Sequence, residues 1–380
     1  MKRLLPLIFC GLLLSACAAR QPQPLGVTFV PVSGDFIAKD GTRLTLNQVL
    51  DLARDADYVL IGEGHKNVCD HAVQQEILRA LASGPNPPAL GLEMVADDRQ
   101  GVLDAFFAGK LTVDDLEQRL DWTERWGYTF ELYRGLFQIA RQHKLPVAGL
   151  NAPPQIVRKV SREGLDSLTD EERGMIPAHI IRQPAEQEGF LKEIMFRHEG
   201  RDTTDPAQVE RFFLVQSLWD TQMATRAVWA RRTWKRPVVV MAGSGHVDFG
   251  WGVALRLNTL DYGAKVLAVT PWRGVEGFEP GAADAFFYCP NTYVSRMGMT
   301  LEENRDGLRV VEVQRGSRAD QAGLRPGDLL VAARGRALHS LDDLHVAGTR
   351  AYKDNAALTV TVVREKEKLT IDLGKLGEGR

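Results

Sequence analysis

The sequence predicts an α/β protein: a mainly parallel sheet flanked by helices, with a large helical insertion, followed by a small C-terminal α+β domain of β-barrel-like character. Three observations carry this. Short apolar runs that end in turn residues alternate with amphipathic helical stretches, the pattern of a parallel sheet covered on both faces. Two of these runs, Tyr58–Ile61 and Val238–Ala242, lead into near-copies of one turn, Gly62-Glu63-Gly64-His65 and Gly243-Ser244-Gly245-His246. From Tyr293 onward the chain changes to strand-like segments separated by Gly- and Pro-marked turns.

The main domain is expected over residues 44–288. Leu44 to Ala56 reads as a short amphipathic helix, and Tyr58–Ile61 as the first strand. A helix over His71–Ala82 presents Val73, Ile77, Leu78 and Leu81 on one side and is stopped by Pro85, Pro87 and Pro88. Ala89–Leu92 is a second strand, ending at Glu93. Helices over 101–107 and 111–120 lead to an aromatic-dense stretch with Trp122, Trp126, Tyr128, Phe130 and Tyr133. A helix over 136–143 feeds a third strand, 146–150, which ends at Asn151. Residues 155–236 show only helical patterns, more than a crossover requires, and are expected to cap the carboxyl edge of the sheet. Val238–Ala242 and Lys265–Val269 complete the strands, and Val275–Tyr288 reads as a linker-like tail.

The 380 residues suit two domains, and the net charge of −2 gives no electrostatic case for nucleic acid. Lys2 and Arg3 precede the apolar run Leu4–Leu14, and Leu14-Ser15-Ala16-Cys17 resembles the lipobox of bacterial lipoproteins. That resemblance implies a signal peptide over 1–16, lipidation of Cys17, a tether over 17–43, and a bacterial cell-envelope location, at the outer membrane facing the periplasm, with contact to the membrane only through the lipid anchor. Cys69 and Cys289 remain as an even pair; a disulfide and two buried thiols are both open.

Glu63, His65, Glu93, Asn151 and His246 all fall just past strand ends, which share one edge in a parallel sheet, so residues far apart in sequence converge there. Glu63, His65 and His246 suit a metal or acid–base work; His71 could join them as a ligand-binding residue or support them, Asn151 could meet the ligand, and Glu93 is a second carboxylate. The bland alternative is capping of the helices that follow. No Cys-x-x-Cys-His is present, so covalent haem attachment is excluded, and there is no His-Glu-x-x-His. Tyr128 and Tyr133, among the neighbouring aromatic rings, could ligate a non-covalent haem or simply pack in the core. Asp220 and Gln222 could reach the site from the insertion or lie on its surface.

Gly62-Glu63-Gly64-His65, Leu92-Glu93-Met94, Asn151-Ala152-Pro153, Trp219-Asp220-x-x-Met223-Ala224 and Gly243-Ser244-Gly245-His246 together resemble the ChaN-like lipoproteins of the Tiki/TraB/erythromycin-esterase superfamily. The resemblance implies binding of haem or iron for uptake. Its Tiki branch implies instead a metal-dependent hydrolase or peptidase, with a divalent metal on Glu63, His65 and His246 and with Glu93 as general base. Gly316-Ser317-x-Ala319-x-x-Ala322-Gly323-Leu324-x-Pro326-Gly327-Asp328 resembles a bacterial PDZ domain, spanning 293–376. That implies a groove for an extended or C-terminal peptide, with the Met297-Gly298-Met299 loop taking the terminal carboxylate and His345 on the wall. Packing or a homodimer is the alternative use of the PDZ domain, and a scaffold with an inactive main domain is the third reading of the whole chain.

Overall fold

The computed structural model of the chain describes residues 26–199 and 205–377. Cys17, the signal segment and the first part of the tether lie outside them. The main sheet has eight strands: β1 (Phe36–Ala38), β2 (Arg43–Leu44), β3 (Tyr58–Glu63), β4 (Ala89–Ala96), β5 (Val147–Asn151), β6 (Val238–Gly243), β7 (Val266–Trp272) and β8 (Ala285–Tyr288). Their order is β2-β1-β8-β7-β3-β6-β4-β5. Strands β3 to β8 pair in parallel, and β1 closes the sheet antiparallel to β8.

Both faces are covered, which is why the strands read as continuous apolar runs. Val59 and Ile61 of β3 face the helices Leu46–Ala53, Val68–Ala82 and Glu131–His143. Tyr58 and Leu60 face the opposite way, towards the helices Pro206–Trp234 and Val253–Leu260. Trp122, Phe130, Tyr133 and Phe137 are core residues of the first layer.

Three expectations are corrected. Residues 275–288 are not merely a linker, because β8 is hydrogen-bonded into the sheet. The tether expected to run to residue 43 ends earlier, since Phe36–Ala38 pairs with that strand. The helical block expected as a cap over 155–236 is divided. Its last helix is buried from Phe213 to Ala230 and runs along β4 and β5 as a flanking helix, while Ile156, Val157, Val160, Ile176, Val215 and Leu218 form a separate apolar cluster. Leu191 and Gln216 are what the insertion contributes to the cleft at the carboxyl edge.

Cys69 and Cys289 are bonded, with Cα atoms 5.6 Å apart. The bridge fastens the start of the Val68–Ala82 helix to the chain just beyond β8. Among the described residues no helix is long and apolar enough to cross a membrane.

The C-terminal domain has β9 (Thr292–Val294), β10 (Met299–Asn304), β11 (Gly307–Val313), β12 (Leu329–Ala333), β13 (Arg336–Ala337), β14 (Ala357–Arg364) and β15 (Glu367–Lys375). They form an antiparallel sheet ordered β15-β14-β12-β11-β10-β9, with β13 beside β12. Its own core includes Leu301, Val310, Leu330, Leu344, Leu358 and Val360. Arg364 bonds Asp328 through both carboxylate oxygens at 2.7 Å, which locks the Pro326-Gly327-Asp328 turn to β14.

Candidate functional site

The two glycine–histidine turns lie side by side. β3 pairs with β6 in the register Tyr58↔Val238 through Glu63↔Gly243, so the motifs are offset by one residue and Glu63 stands opposite the first glycine of the second motif. That offset has a steric reason. A Cβ on Gly243 would sit 2.9 Å from His65 Cε1, so only glycine lets the imidazole lie across β6. Gly62 is equally constrained, its imagined Cβ lying 2.8 Å from Thr270 Oγ1 of β7.

Each histidine is held by a buried carboxylate, and the two pairs are fed from opposite faces of the sheet. On the first face, His65 Nδ1 donates to Glu63 Oε1 at 2.8 Å, and the Tyr133 hydroxyl donates to the same oxygen at 2.7 Å. Gln74 Nε2 donates to Glu63 Oε2 at 2.9 Å, and His71 Nδ1 stands 3.6 Å from it. On the second face, His246 Nδ1 donates to Asp220 Oδ1 at 2.7 Å, and buried Arg256 approaches the other oxygen of Asp220 at 3.4 Å. Glu93 joins the two sets: its Oε2 accepts the Gly243 N–H at 2.6 Å and its Oε1 lies 3.5 Å from His246 Nε2.

Burial lowers the proton affinity of both imidazoles, and the carboxylates beside them more than reverse this. Glu93 and Asp220 push His246 up to about 9, and bonding to Glu63, with the charge of Glu93, pushes His65 up. Glu63 behaves conversely: burial pushes it up, but His65, His71 and Tyr133 together hold it below the usual carboxylate range. His246 is thus disposed to be cationic beside Asp220 and Glu93.

The cleft between them has a volume of about 480 Å³ and is lined by Glu63, His65, Gly243, Ser244, His246, Asp248 and Arg273, with Leu191 and Gln216 from the insertion. Aromatic rings stand behind the histidines. Trp126 is edge-on to His65 at 4.8 Å, Tyr128 is tilted against it at 5.0 Å, and Trp219 is edge-on to His246 at 6.1 Å. Arg273 holds both oxygens of buried Asp70, at 2.7 and 2.6 Å, and Asp70 in turn accepts the Gly64 N–H at 2.7 Å. That bracket fixes the first turn from behind.

Of the residues expected at the site, Glu63, His65, Glu93 and His246 converge. Tyr128 lies half-buried beside His65. Three others serve differently from expectation. Tyr133 is fully buried with its hydroxyl spent on Glu63, so it is not placed to ligate haem. His71 is buried beneath His65, and its Nε2 lies 3.3 Å from the His65 carbonyl. Asn151 spends its amide on the Glu93 carbonyl at 3.0 Å and on the Ala152 N–H at 2.8 Å, so it shapes the end of β4 rather than meeting a ligand.

Among the described residues no three His, Cys, Asp or Glu side chains are grouped to hold a metal ion. Glu63 is already engaged at both oxygens, and the two imidazoles belong to separate carboxylates.

Asp220 is settled as a partner of His246, while Gln222 bonds Asp97 at 2.9 Å. Gln74, Asp70, Arg256 and Arg273 were not foreseen. Arg273 follows the end of β7, so the rule that found the other strand-end residues could have found it. In the C-terminal domain, the N–H groups of Met297 and Gly298 are taken by Ser295, at 3.1 Å through Oγ and 2.9 Å through the carbonyl. Met299 points into the core, and His345 is exposed on the helix Leu341–Lys353.

Comparison with known proteins agrees with this architecture. The family described as haem-binding uptake, Tiki superfamily, ChaN matches residues 49–257, and the PDZ domain family matches residues 295–374. Among solved structures, the chain resembles ChaN of Campylobacter jejuni, described with cofacial haem binding. Identity is 17%, 68% of this chain and 97% of that one are covered, and the TM-score is 0.56, which supports a shared fold. The PDZ domain of HtrA3 with a phage-derived ligand is 21% identical over 22% of this chain and 84% of its own, with a TM-score of 0.18. An erythromycin esterase in its open conformation is 13% identical over 71% of this chain and 80% of its own, with a TM-score of 0.38. No curated protein matches. With the family covering more than half of its length, the chain belongs to the haem-binding uptake, Tiki superfamily, ChaN family and carries a C-terminal PDZ domain.

Proposed function

We propose that the main domain binds haem in uptake or iron homeostasis at the cell envelope. The observation that carries this reading is the partly exposed His65, which lines the cleft and packs against Trp126 and Tyr128, in a chain of the ChaN family. The residues there fit the group. A haem needs an axial donor and flat apolar walls. His65 Nε2 or the Tyr128 hydroxyl would supply the donor, and the two aromatic rings the wall. Lys66, whose ammonium lies 5.9 Å from the Tyr128 ring centre, and His246 would meet the propionates. When bound, the haem iron supplies the redox and ligand chemistry. The protein's part is to orient it, and Glu63 does so by keeping the proton of His65 on Nδ1.

Titration of the purified chain with haem is expected to give a Soret band. His65→Ala and Tyr128→Phe weaken it, whereas Tyr133→Phe leaves the affinity within about twofold, since that hydroxyl serves Glu63. No band, or a loss confined to Tyr133→Phe, overturns the assignment.

The reading includes lipidation at Cys17. It is supported by the Leu14–Cys17 pattern and by the Cys69–Cys289 bridge, which calls for an oxidising compartment. Cys17→Ala is expected to move the protein from the membrane to the soluble fraction.

One observation favours a second reading, acid–base hydrolysis. His246 is held protonated between Asp220 and Glu93 at the cleft wall, suited to protonating a leaving group, with Glu93 as the adjacent base. Turnover of a chromogenic ester or peptide that disappears in Glu93→Gln would support it.

A further inference from the structure

The PDZ domain meets its own chain where a peptide would be added. Peptides bind such domains by extending an exposed sheet edge. The edge concerned is that of β10, which follows the Met297-Gly298-Met299 turn. One side of β10 pairs with β11. The other side is occupied by β9, antiparallel, in the register Thr300↔Val294, Leu301↔Tyr293 and Glu302↔Thr292. The Ser295 N–H donates to the Met299 carbonyl and the Glu303 N–H to the Asn291 carbonyl, both at 2.8 Å. Alternation along an antiparallel ladder makes Tyr293 and Leu301 the bonded pair between them. The turn that would receive a terminal carboxylate is filled as well, since Met297 and Gly298 donate to Ser295. The hydroxyl and carbonyl of Ser295 thus take N–H groups that a terminal carboxylate would need.

We propose that Thr292–Ser295 is a built-in pseudo-ligand: it occupies the peptide-accepting edge of the PDZ domain, and an extended peptide with a free carboxylate binds by displacing it. The strand is built to leave. It is three residues long, all exposed, with Tyr293 at 45% and Val294 at 74% exposure, so its hold is mainly the backbone ladder. Its other end stays fixed. Cys289 is bonded to Cys69, and the Pro290 carbonyl accepts from Asn67 Nδ2 at 3.0 Å. A competitor tethered this close presents a high local concentration, so weak peptides are refused and only those that also fill side-chain subsites succeed.

Two variants of the full chain test this, probed with fluorescein-labelled decapeptides randomised at their last four positions, carrying either a free or an amidated C-terminus. Tyr293→Pro removes the ladder donor of β9 and is expected to tighten binding of the free-carboxylate pool about tenfold. Joining β9 to β10 through a disulfide between Thr292→Cys and Glu302→Cys, directly opposed in the sheet, is expected to abolish binding, while the Thr292→Cys single variant binds as the parent does. Equal binding by parent and Tyr293→Pro, undiminished binding by the cross-linked protein, or no binding even by Tyr293→Pro would each overturn the proposal. So would equal binding of the amidated pool.

Discussion

His246 keeps its proton because Asp220 and Glu93 outweigh its burial, and that has a definite consequence for stability. Its folded pKa of about 9 exceeds the unfolded value of about 6.5, so the stabilisation is complete below about pH 6.5 and is lost as pH rises through about 9. Chemical denaturation between those limits should show this decline, and Asp220→Asn should flatten it. Tyr133→Phe removes a donor to a buried carboxylate and is expected to destabilise by about 1–3 kcal/mol in the same assay. At this scale the sequence was informative wherever a residue followed a strand, because strand ends share one edge: Glu63, His65, Glu93 and His246 all met there. It was uninformative for Asp220, Gln74 and Tyr133. A polar side chain in mid-helix has the same local pattern whether it turns to solvent or to a histidine.

The elements show a similar division. β3 and β6 were readable as buried strands, and so was the need for glycine beyond them, but the one-residue offset between the motifs appears only when the strands are paired. It makes a contrasting prediction. Gly243→Ala drives a methyl into His65 and should weaken haem binding about tenfold or more, whereas nothing lies within 4 Å of a Cβ on Gly245, and Gly245→Ala should bind as the parent does. Haem titration of the two proteins checks both. Strands β1 and β8 were not legible. Phe36–Ala38 is three residues long and Ala285–Tyr288 four, too short for a period-2 pattern; the first is a strand only because β2 and β8 supply its hydrogen bonds, the second because β1 and β7 do. The helix Pro206–Trp234 misled for a different reason. Its middle is buried nearly all round, between the sheet and the insertion, so no single apolar stripe marks where flanking helix ends and insertion begins.

Across the whole molecule, the Cys69–Cys289 bridge closes the main domain, linking its first βα turn to the chain just past its last parallel strand. Replacing both cysteines by serine is expected to destabilise the main domain by about 2–5 kcal/mol in denaturant titration, with the separate core of the PDZ domain unaffected.

The position of β6 carries a further consequence. It is the sixth strand of the sheet to be synthesised, yet it lies between β3 and β4, and both glycine–histidine turns exist as a pair only once it is in place. A growing chain can make the Val68–Ala82 and Glu131–His143 helices early, but the centre of its sheet stays open until residue 243 has emerged. Folding must therefore hold the β3 and β4 edges apart, or separate them again, before the last central strand is inserted, and such non-local pairing is slow. The cleft, which also takes Arg273 from beyond β7, therefore forms late, and a chain cut short before Val238 would leave both edges of β3 and one edge of β4 unpaired and open to aggregation.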